Sequence, residues 1–546
     1  MNDGSNDGAE RSTVHGLTRR QALRDAAAVG AGAVLAAGAG VVPGAAAQDT
    51  QGADATPAAP GVFSDELLHG LETDIRTAME TFGITGAAIA LVQGDEIVHS
   101  AGFGARDLRS GAAVTDRTRF RIGSITKSMT ALMVATFIDE GVLAWDTPVI
   151  DAWPQFRAPT DELTHGLRLR DLFGMGTGLA ESPTIEFFMS AGTESALDIL
   201  RSIAYLPIVG APGEVFYYNN TLFSAGGYLP SLAQGAPLAG LEPAYAKLMR
   251  ERVFDPIGMT DAAIAADPRP LGGDNATGYT RDLFGQPTAV PYISIDGAAP
   301  AGMGFASAVD LARYLIVQMN DGVAPGGARV VSAANLAVMH KPGIEVAQGL
   351  FLPETHPDTI SLRYCLGWFN EMLSDGRRLI QHGGGIDGFA SLVGFFPADR
   401  IGFVALNNLE PGRGGSLFNA TVRGSLLSRL YGLEHNVSAL AAEHFASRRE
   451  RTAALAAETQ SVDPAAVAPF LGWYSGGFRL RFEPDDELLL EHDIRSMPLL
   501  ALPGGAYVVA DGPDVMLEKR VALAADPSGL TMTIEEFDPA RWLTGD

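Results

Sequence analysis

The chain is 546 residues long, with 64 acidic against 39 basic side chains, a formal net charge of −25 and 47% apolar residues. That length predicts two or three domains, and that apolar fraction excludes wholesale disorder. The acidic balance argues against a nucleic-acid or anionic-membrane surface, which needs clustered Lys and Arg, and the one cysteine, Cys365, excludes an internal disulfide, zinc fingers and iron–sulfur clusters.

Residues 1–17 are polar and rich in Gly and Asp. Thr18-Arg19-Arg20-Gln21-Ala22-Leu23-Arg24 follows, then an Ala/Gly/Val run from Ala26 to Val42 that ends at Pro43-Gly44-Ala45-Ala46-Ala47. A charged head, an apolar middle and a small-residue end make a signal peptide, and the paired arginines resemble a twin-arginine export signal cleaved after Ala47. Residues 1–47 are therefore predicted to direct export, and 48–60 to form a flexible leader. No later stretch has the roughly 18 uninterrupted apolar residues of a membrane span, so no stable span is expected after cleavage.

From residue 65 the pattern DELLHGLETDIRTAMETFG has helical period. GAAIALVQ (86–93) and EIVHSAGFG (96–104), joined by Gly94-Asp95, predict a β-hairpin. An apolar helix opens at Ser124, and residues 145–375 read as helices mixed with Gly/Pro-rich loops. Strand patterns return at 377–384, 389–397 and 401–408, with a helix over 417–431. Strands at both ends of this region and helices between them predict one antiparallel sheet of chain-distant strands, in an α+β domain over 61–435. Residues 436–463 read as a helical linker. From 464 to 546, FLGWYSG, FRLRFEP, ELLLEHD, MPLLALP, AYVVADG, VMLEKRV and LTMTIEE recur every 8–12 residues, the spacing of a small antiparallel β-barrel.

Three local features carry chemistry. Ser124-Ile125-Thr126-Lys127 opens a helix, and three residues along a helix bring two side chains onto one face. Lys occurs only at 127, 247, 341 and 519, so this chain uses Arg wherever a permanent charge suffices. A Lys partly removed from water gives up its proton more readily than an Arg and could take the serine proton, while the helix N-terminus adds positive potential at the hydroxyl. Alone, the pattern equally describes a capping serine and a surface lysine. Tyr218-Asn219-Asn220 offers a phenol able to relay a proton and an amide able to meet both Lys127 and a substrate carbonyl. Read by itself it is also a turn after Pro212-Gly213. His382-Gly383-Gly384-Gly385 leaves a strand, and its glycines would let a substrate lie along an edge. The Gly385 amide beside that of Ser124 could cradle an oxyanion, with His382 holding the Tyr218 phenol or a substrate carboxylate.

The order SxxK, YxN, HxG, with the flanks FRIGSITKSMTALMVATFIDEGVLAWDTPV, LFGMGTGL, PGEVFYYNN, PIGMTDAAIA, PAGMGFASAVDLARYL and HGGGIDGFASLVGFFP, resembles the serine beta-lactamase and penicillin-binding-protein superfamily over about 65–432. It is most similar to the branch of class C beta-lactamases, D,D-carboxypeptidases, D-aminopeptidases and related esterases. The resemblance implies an antiparallel sheet flanked by helices with an all-helical subdomain, and no metal or cofactor. It implies Ser124 as the nucleophile, Lys127 and Tyr218 sharing general acid and base work, Asn220 positioning Lys127 and substrate, and His382 supporting Tyr218. Ser124, Gly384 and Gly385 would line the oxyanion and substrate-binding strand. Met175 departs from the pattern where many members carry His, a change not expected to touch the chemistry.

The expected activity is that of an exported serine hydrolase, periplasmic, cell-surface or extracellular, opening an amide or ester bond of a small-molecule or peptide substrate through an acyl-enzyme. The alternative is a penicillin-recognising sensor that acylates with negligible turnover. A scaffold built on a dead hydrolase fold is disfavoured by the intact residues. His in place of the third-motif Lys argues against strong antibiotic resistance. Short-chain esters, D-amino-acid peptides and cell-wall stem peptides all fit, since the loops near 180–210 and 285–305 would set the choice.

Overall fold

The computed structural model describes residues 63–181, 195–346, 358–433, 436–474, 478–483, 487–492, 495–512, 516–526 and 529–534. The proposed signal and leader lie outside these residues.

Ser64 caps α1 (Asp65–Phe82) by accepting the Leu67 N–H, and Gly83 ends it in the left-handed conformation (φ +65°) that a residue with a Cβ rarely adopts. The hairpin follows as β1 (Gly86–Gln93) and β2 (Glu96–Asp107), turning at Gly94 and Asp95. A short β3 (Ala112–Ala113) closes that edge. The nine-stranded sheet runs β3-β2-β1-β9-β8-β7-β6-β5-β4, with β4 at Ile344–Glu345, β5 at Thr359–Tyr364, β6 at Phe369–Leu373, β7 at Arg378–Ile386, β8 at Phe389–Phe396 and β9 at Ile401–Asn407. Antiparallel pairing of β1 with β9, from Ala87 opposite Asn407 to Gln93 opposite Ile401, joins the chain-distant strands predicted to share a sheet. Strands β4 to β6 were missed: the region read as helices and loops supplies three more strands to this sheet.

Side chains alternate across a strand, and β1 shows the consequence. Ala87, Ile89 and Leu91 enter the core shared with α1 and with α5 (Gly415–Tyr431), while Ala88, Ala90 and Val92 enter the other core with α2 (Ile125–Asp139) and α4 (Ala308–Met319). Both faces are covered, so β8 and β9 are buried throughout and read as continuous apolar runs. Every residue of α2 from Ile125 to Phe137 is buried. The sheet covers one side of that helix. Short helices at Val149–Ala152, Asp161–Gly166, Leu169–Phe173, Ala196–Ser202 and Leu241–Met249 join α3 (Asn220–Ala233) in the helical part of the same core.

The segment read as a linker is the helix α6 (Val437–Glu458), and it is docked: Phe445 meets Phe82 edge-on at 5.4 Å and Ala441 is buried beside it in the α1–α5 core. The C-terminal strands form an antiparallel meander in chain order: β10 (Gly472–Trp473), β11 (Phe478–Phe482), β12 (Leu488–His492), β13 (Arg495–Ala501), β14 (Ala506–Val509), β15 (Arg520–Asp526) and β16 (Gly529–Ile534). It curls into a half-barrel over Leu480, Leu490, Met497, Val509 and Val521. The VMLEKRV run is a correction: Met516–Lys519 turn, with Glu518 at φ +67°, and the strand begins only at Arg520. Among the described residues no helix is long and apolar enough to cross a membrane.

The start of α4 holds a buried acid. Asp310 is fully buried, accepts the Asp261 N–H at 3.0 Å through one oxygen, and leaves Oδ1 unpartnered. Burial, reinforced by the nearby Asp261 charge, pushes its carboxyl up to about 7. The folded state therefore holds a proton that the unfolded state has released, and stability should fall as pH rises from about 4 through about 7. A shift of that size is worth on the order of 4 kcal/mol, of which about 3 kcal/mol falls between pH 5 and pH 8. Urea unfolding at pH 5 and pH 8 should show this loss in wild type and a smaller one in Asp310→Asn; an equal loss in both would assign the pH dependence elsewhere.

Candidate active site

Ser124 stands at the N-cap of α2 with helical backbone angles, and its hydroxyl makes no capping bond, so it stays available. Gly123 precedes it at φ +49°. A Cβ there would lie 2.9 Å from the Gly385 nitrogen, and one on Gly384 would lie 2.0 Å from the Ile122 carbonyl oxygen. Glycine at these two positions is what lets the nucleophile's turn and β7 touch directly, bringing the Ser124 and Gly385 segments together.

Lys127 is fully buried one turn into α2, unlike a surface lysine. Its Nζ lies 3.0 Å from Ser124 Oγ, 2.7 Å from Asn220 Oδ1 and 2.8 Å from the Ala301 carbonyl oxygen. The Ala301 acceptor sits in the short helix Ala299–Gly302, inside one of the loop regions read as substrate-setting. The face of the Tyr218 ring lies 4.6 Å from the same Nζ, and the ring is 6.4 Å from that of His382, centroid to centroid. Ser124, Lys127, Tyr218, Asn220 and His382 thus meet around one buried amine.

His382 corrects part of the sequence reading. It is buried, and burial together with the Lys127 charge pushes its imidazole down to about 3, so the ring is neutral. Its Nε2 lies 3.2 Å from the Tyr364 hydroxyl and its Nδ1 2.5 Å from the Gly383 carbonyl oxygen. Burial raises the Tyr364 phenol well above its ordinary value, so that hydroxyl donates to Nε2 and Nδ1–H donates to the carbonyl. A neutral ring with both nitrogens engaged has no cation to offer a substrate carboxylate. Tyr364 packs edge-on against Tyr218 at 6.2 Å and relays the ring's position to it. The expected edge is also only partial. β6 pairs with β7 from Arg378 to Gln381, so β7 is interior there, and only His382–Ile386 lack a partner on that side among the described strands.

Besides Tyr364, three contributors escaped the sequence reading. Glu181 is buried and anchors the start of α3, accepting the Asn220 N–H at 2.5 Å, the Thr221 N–H at 3.1 Å and the Thr221 hydroxyl. Burial raises its carboxyl, opposed by these bonds and by the Lys127 charge. Met175, expected to stand apart from the chemistry, brackets Tyr218: its carbonyl accepts the Tyr217 N–H at 2.9 Å and its sulfur lies 3.1 Å from the Asn219 nitrogen. It does so at φ +56°, a strained conformation for a long side chain. Asn219 completes the brace by capping α3, accepting the Leu222 N–H at 2.7 Å. No motif could flag Glu181 or Tyr364, because each acts from a different segment of chain.

A family model described as Beta-lactamase matches residues 71–426. The unguisins hydrolase ungD of Aspergillus violaceofuscus is 26% identical over 367 residues, 64% of this chain and 63% of that protein. Penicillin-binding protein 4 of Amycolatopsis lactamdurans is 27% identical over 261 residues, 47% of this chain and 65% of that protein. The match therefore spans less than two thirds of the length of these curated relatives. The octameric penicillin-binding protein homologue from Pyrococcus abyssi shares the fold, with a TM-score of 0.57 at 20% identity, covering 86% of this chain and 99% of that one.

Proposed function

Because this chain belongs to the beta-lactamase family, we propose that it is an exported serine hydrolase of the class C-like branch, opening an amide or ester bond through an acyl-enzyme on Ser124. The observation that carries this reading is the fully buried Lys127 amine, held by three acceptors of which one is the Ser124 hydroxyl oxygen. Once it gives up a proton, the amine keeps two N–H bonds for Asn220 Oδ1 and the Ala301 carbonyl and turns a lone pair to Ser124.

Lys127 then takes the Ser124 proton as Oγ attacks the substrate carbonyl carbon. The negative charge that develops on the carbonyl oxygen is received by the Ser124 and Gly385 N–H groups. Collapse expels the leaving group, which takes a proton through the Tyr218 phenol from Lys127. Water attacks the acyl-Ser124 ester by the reverse route, and the acid is released. Glu181 and Met175 hold the Tyr218–Asn220 segment in place throughout. The neutral His382 supplies no charge for a substrate carboxylate, which favours esters and uncharged amides over beta-lactams. The Arg19-Arg20 segment supports export.

Hydrolysis of p-nitrophenyl acetate, nitrocefin and D-Ala-p-nitroanilide by wild type beside Ser124→Ala tests the reading. Turnover of at least one substrate that vanishes in the variant supports it. A burst without steady release would make the protein an acylating sensor, and turnover retained by Ser124→Ala would remove the mechanism.

A further inference from the structure

The turn Asp387-Gly388 joins β7, which carries Gly384 and Gly385, to β8. Among the described residues β7 has no β6 partner beyond Gln381, so the Gly385 segment is located by β8, by its contact with the Gly123 turn and by this turn. The turn is gripped from several sides. The Gly388 N–H donates to Glu410 Oε2 at 2.6 Å, and the Gly388 carbonyl accepts the Tyr279 N–H at 3.3 Å. The Asp387 carboxylate accepts from Arg495 Nη2 at 2.5 Å, with the two side chains only 19% and 13% exposed. Arg495 opens β13, so this contact comes from the C-terminal half-barrel, 108 residues further along the chain.

The Asp387 charge also reaches the nucleophile's side of the site. Arg121, three residues before Ser124, is buried, donates through Nη2 to the Ile293 carbonyl at 2.9 Å and stacks over Phe305 at 5.8 Å. Its Nε is buried with no hydrogen-bond partner. Burial pushes the guanidinium down to about 10, opposed first by the Asp387 charge, so it stays a cation. Two cations thus act on one carboxylate, Arg495 through a direct hydrogen bond from the half-barrel and Arg121 through its charge from the short strand Phe120–Arg121 that leads to Ser124.

We propose that Arg495 is a positioning residue for acyl transfer: by holding Asp387 it sets where the Gly385 N–H stands relative to Ser124, which makes the C-terminal half-barrel part of the hydrolytic site. The proposal rests on Ser124 being the nucleophile. Oxyanion donors act only where they are aimed, and loss of one whole donor typically costs about 100- to 1,000-fold. Releasing the turn displaces the donor without removing it. The effect is therefore smaller than loss of the donor, about 10-fold.

The test is the rate of Ser124 labelling by a fluorophosphonate probe in the full chain, with probe concentration varied to separate maximal rate from affinity. Arg495→Met should lower the maximal rate about 10-fold with little change in the half-saturating concentration, and Arg495→Lys should recover most of it. Asp387→Asn, which keeps the shape and removes the charge, should be as slow as Arg495→Met and serves should the latter fail to fold. Glu518→Gln weakens a second tie between the half-barrel and the main domain, the Arg413–Glu518 pair at 2.6 Å, and should lower the melting temperature while leaving the labelling rate at the wild-type value. Wild-type labelling by folded Arg495→Met and Asp387→Asn would overturn the proposal, as would equal slowing by Glu518→Gln. An unlabelled wild type would instead overturn the assignment of Ser124.

Discussion

Lys127→Arg is expected to slow acylation of Ser124 roughly a thousandfold, the usual worth of a positioned general base. The change keeps the positive charge, the donors and the reach to Asn220 Oδ1 and the Ala301 carbonyl. It removes only the ability to part with a proton, since a guanidinium stays charged in proteins. A lysine that merely anchored α2 to α3 and to the Ala299–Gly302 helix would be replaced at small cost in rate. Labelling kinetics measured beside Ser124→Ala as the zero, with circular dichroism to show that the variant folds, separate the two roles. A rate within 10-fold of wild type would assign Lys127 to structure and leave Ser124 in need of another base.

The largest loss of stability is expected at the far side of the sheet. Arg423, on α5, and Glu371, on β6, form an ion pair in which neither side chain is more than 1% exposed. Glu371 also accepts from Gln381 Nε2 at 2.5 Å and from the Thr359 hydroxyl. Removing one partner of such a pair leaves a charge with neither water nor counter-ion, at a cost of about 3–5 kcal/mol, whereas replacing both by apolar groups is often close to neutral. Arg423→Met should therefore lower the urea midpoint sharply, and Arg423→Met with Glu371→Leu should recover most of the loss. A single variant within about 1 kcal/mol of wild type would mean that water reaches the carboxylate. Gln381 adjoins His382 on β7, so the single variant is also expected to slow labelling of Ser124.

The reach of the sequence differs from one element to the next for identifiable reasons. The β1–β2 hairpin was legible because the Gly94-Asp95 turn and the two flanking runs are local. Strands β4 to β6 were not: their residues are interrupted by turns, and their pairing partners lie elsewhere in the chain. Residues 516–519 show the converse, a β-like composition diverted into a turn with Glu518 at φ +67°. In the site, His382 was found by its glycines, but its protonation was not, because that depends on burial and on Tyr364, which its own segment does not announce. Met175 looked like an idle departure from a motif until the fold placed its sulfur against the Asn219 amide.

What the sequence determined by itself is what helix and turn geometry impose within a few residues: Ser124 and Lys127 on one face of α2, Gly123 able to take φ +49°, and glycines in β7 that allow close approach. What the tertiary structure decided is the environment of those groups. Lys127 meets Asn220 across 93 residues and Ala301 across 174, and Arg495 meets Asp387 across 108. Whether an amine can act as a base, an imidazole stays neutral or an amide points at an oxyanion depends on which dipoles and charges replace water around it, and those arrive only when distant segments pack together.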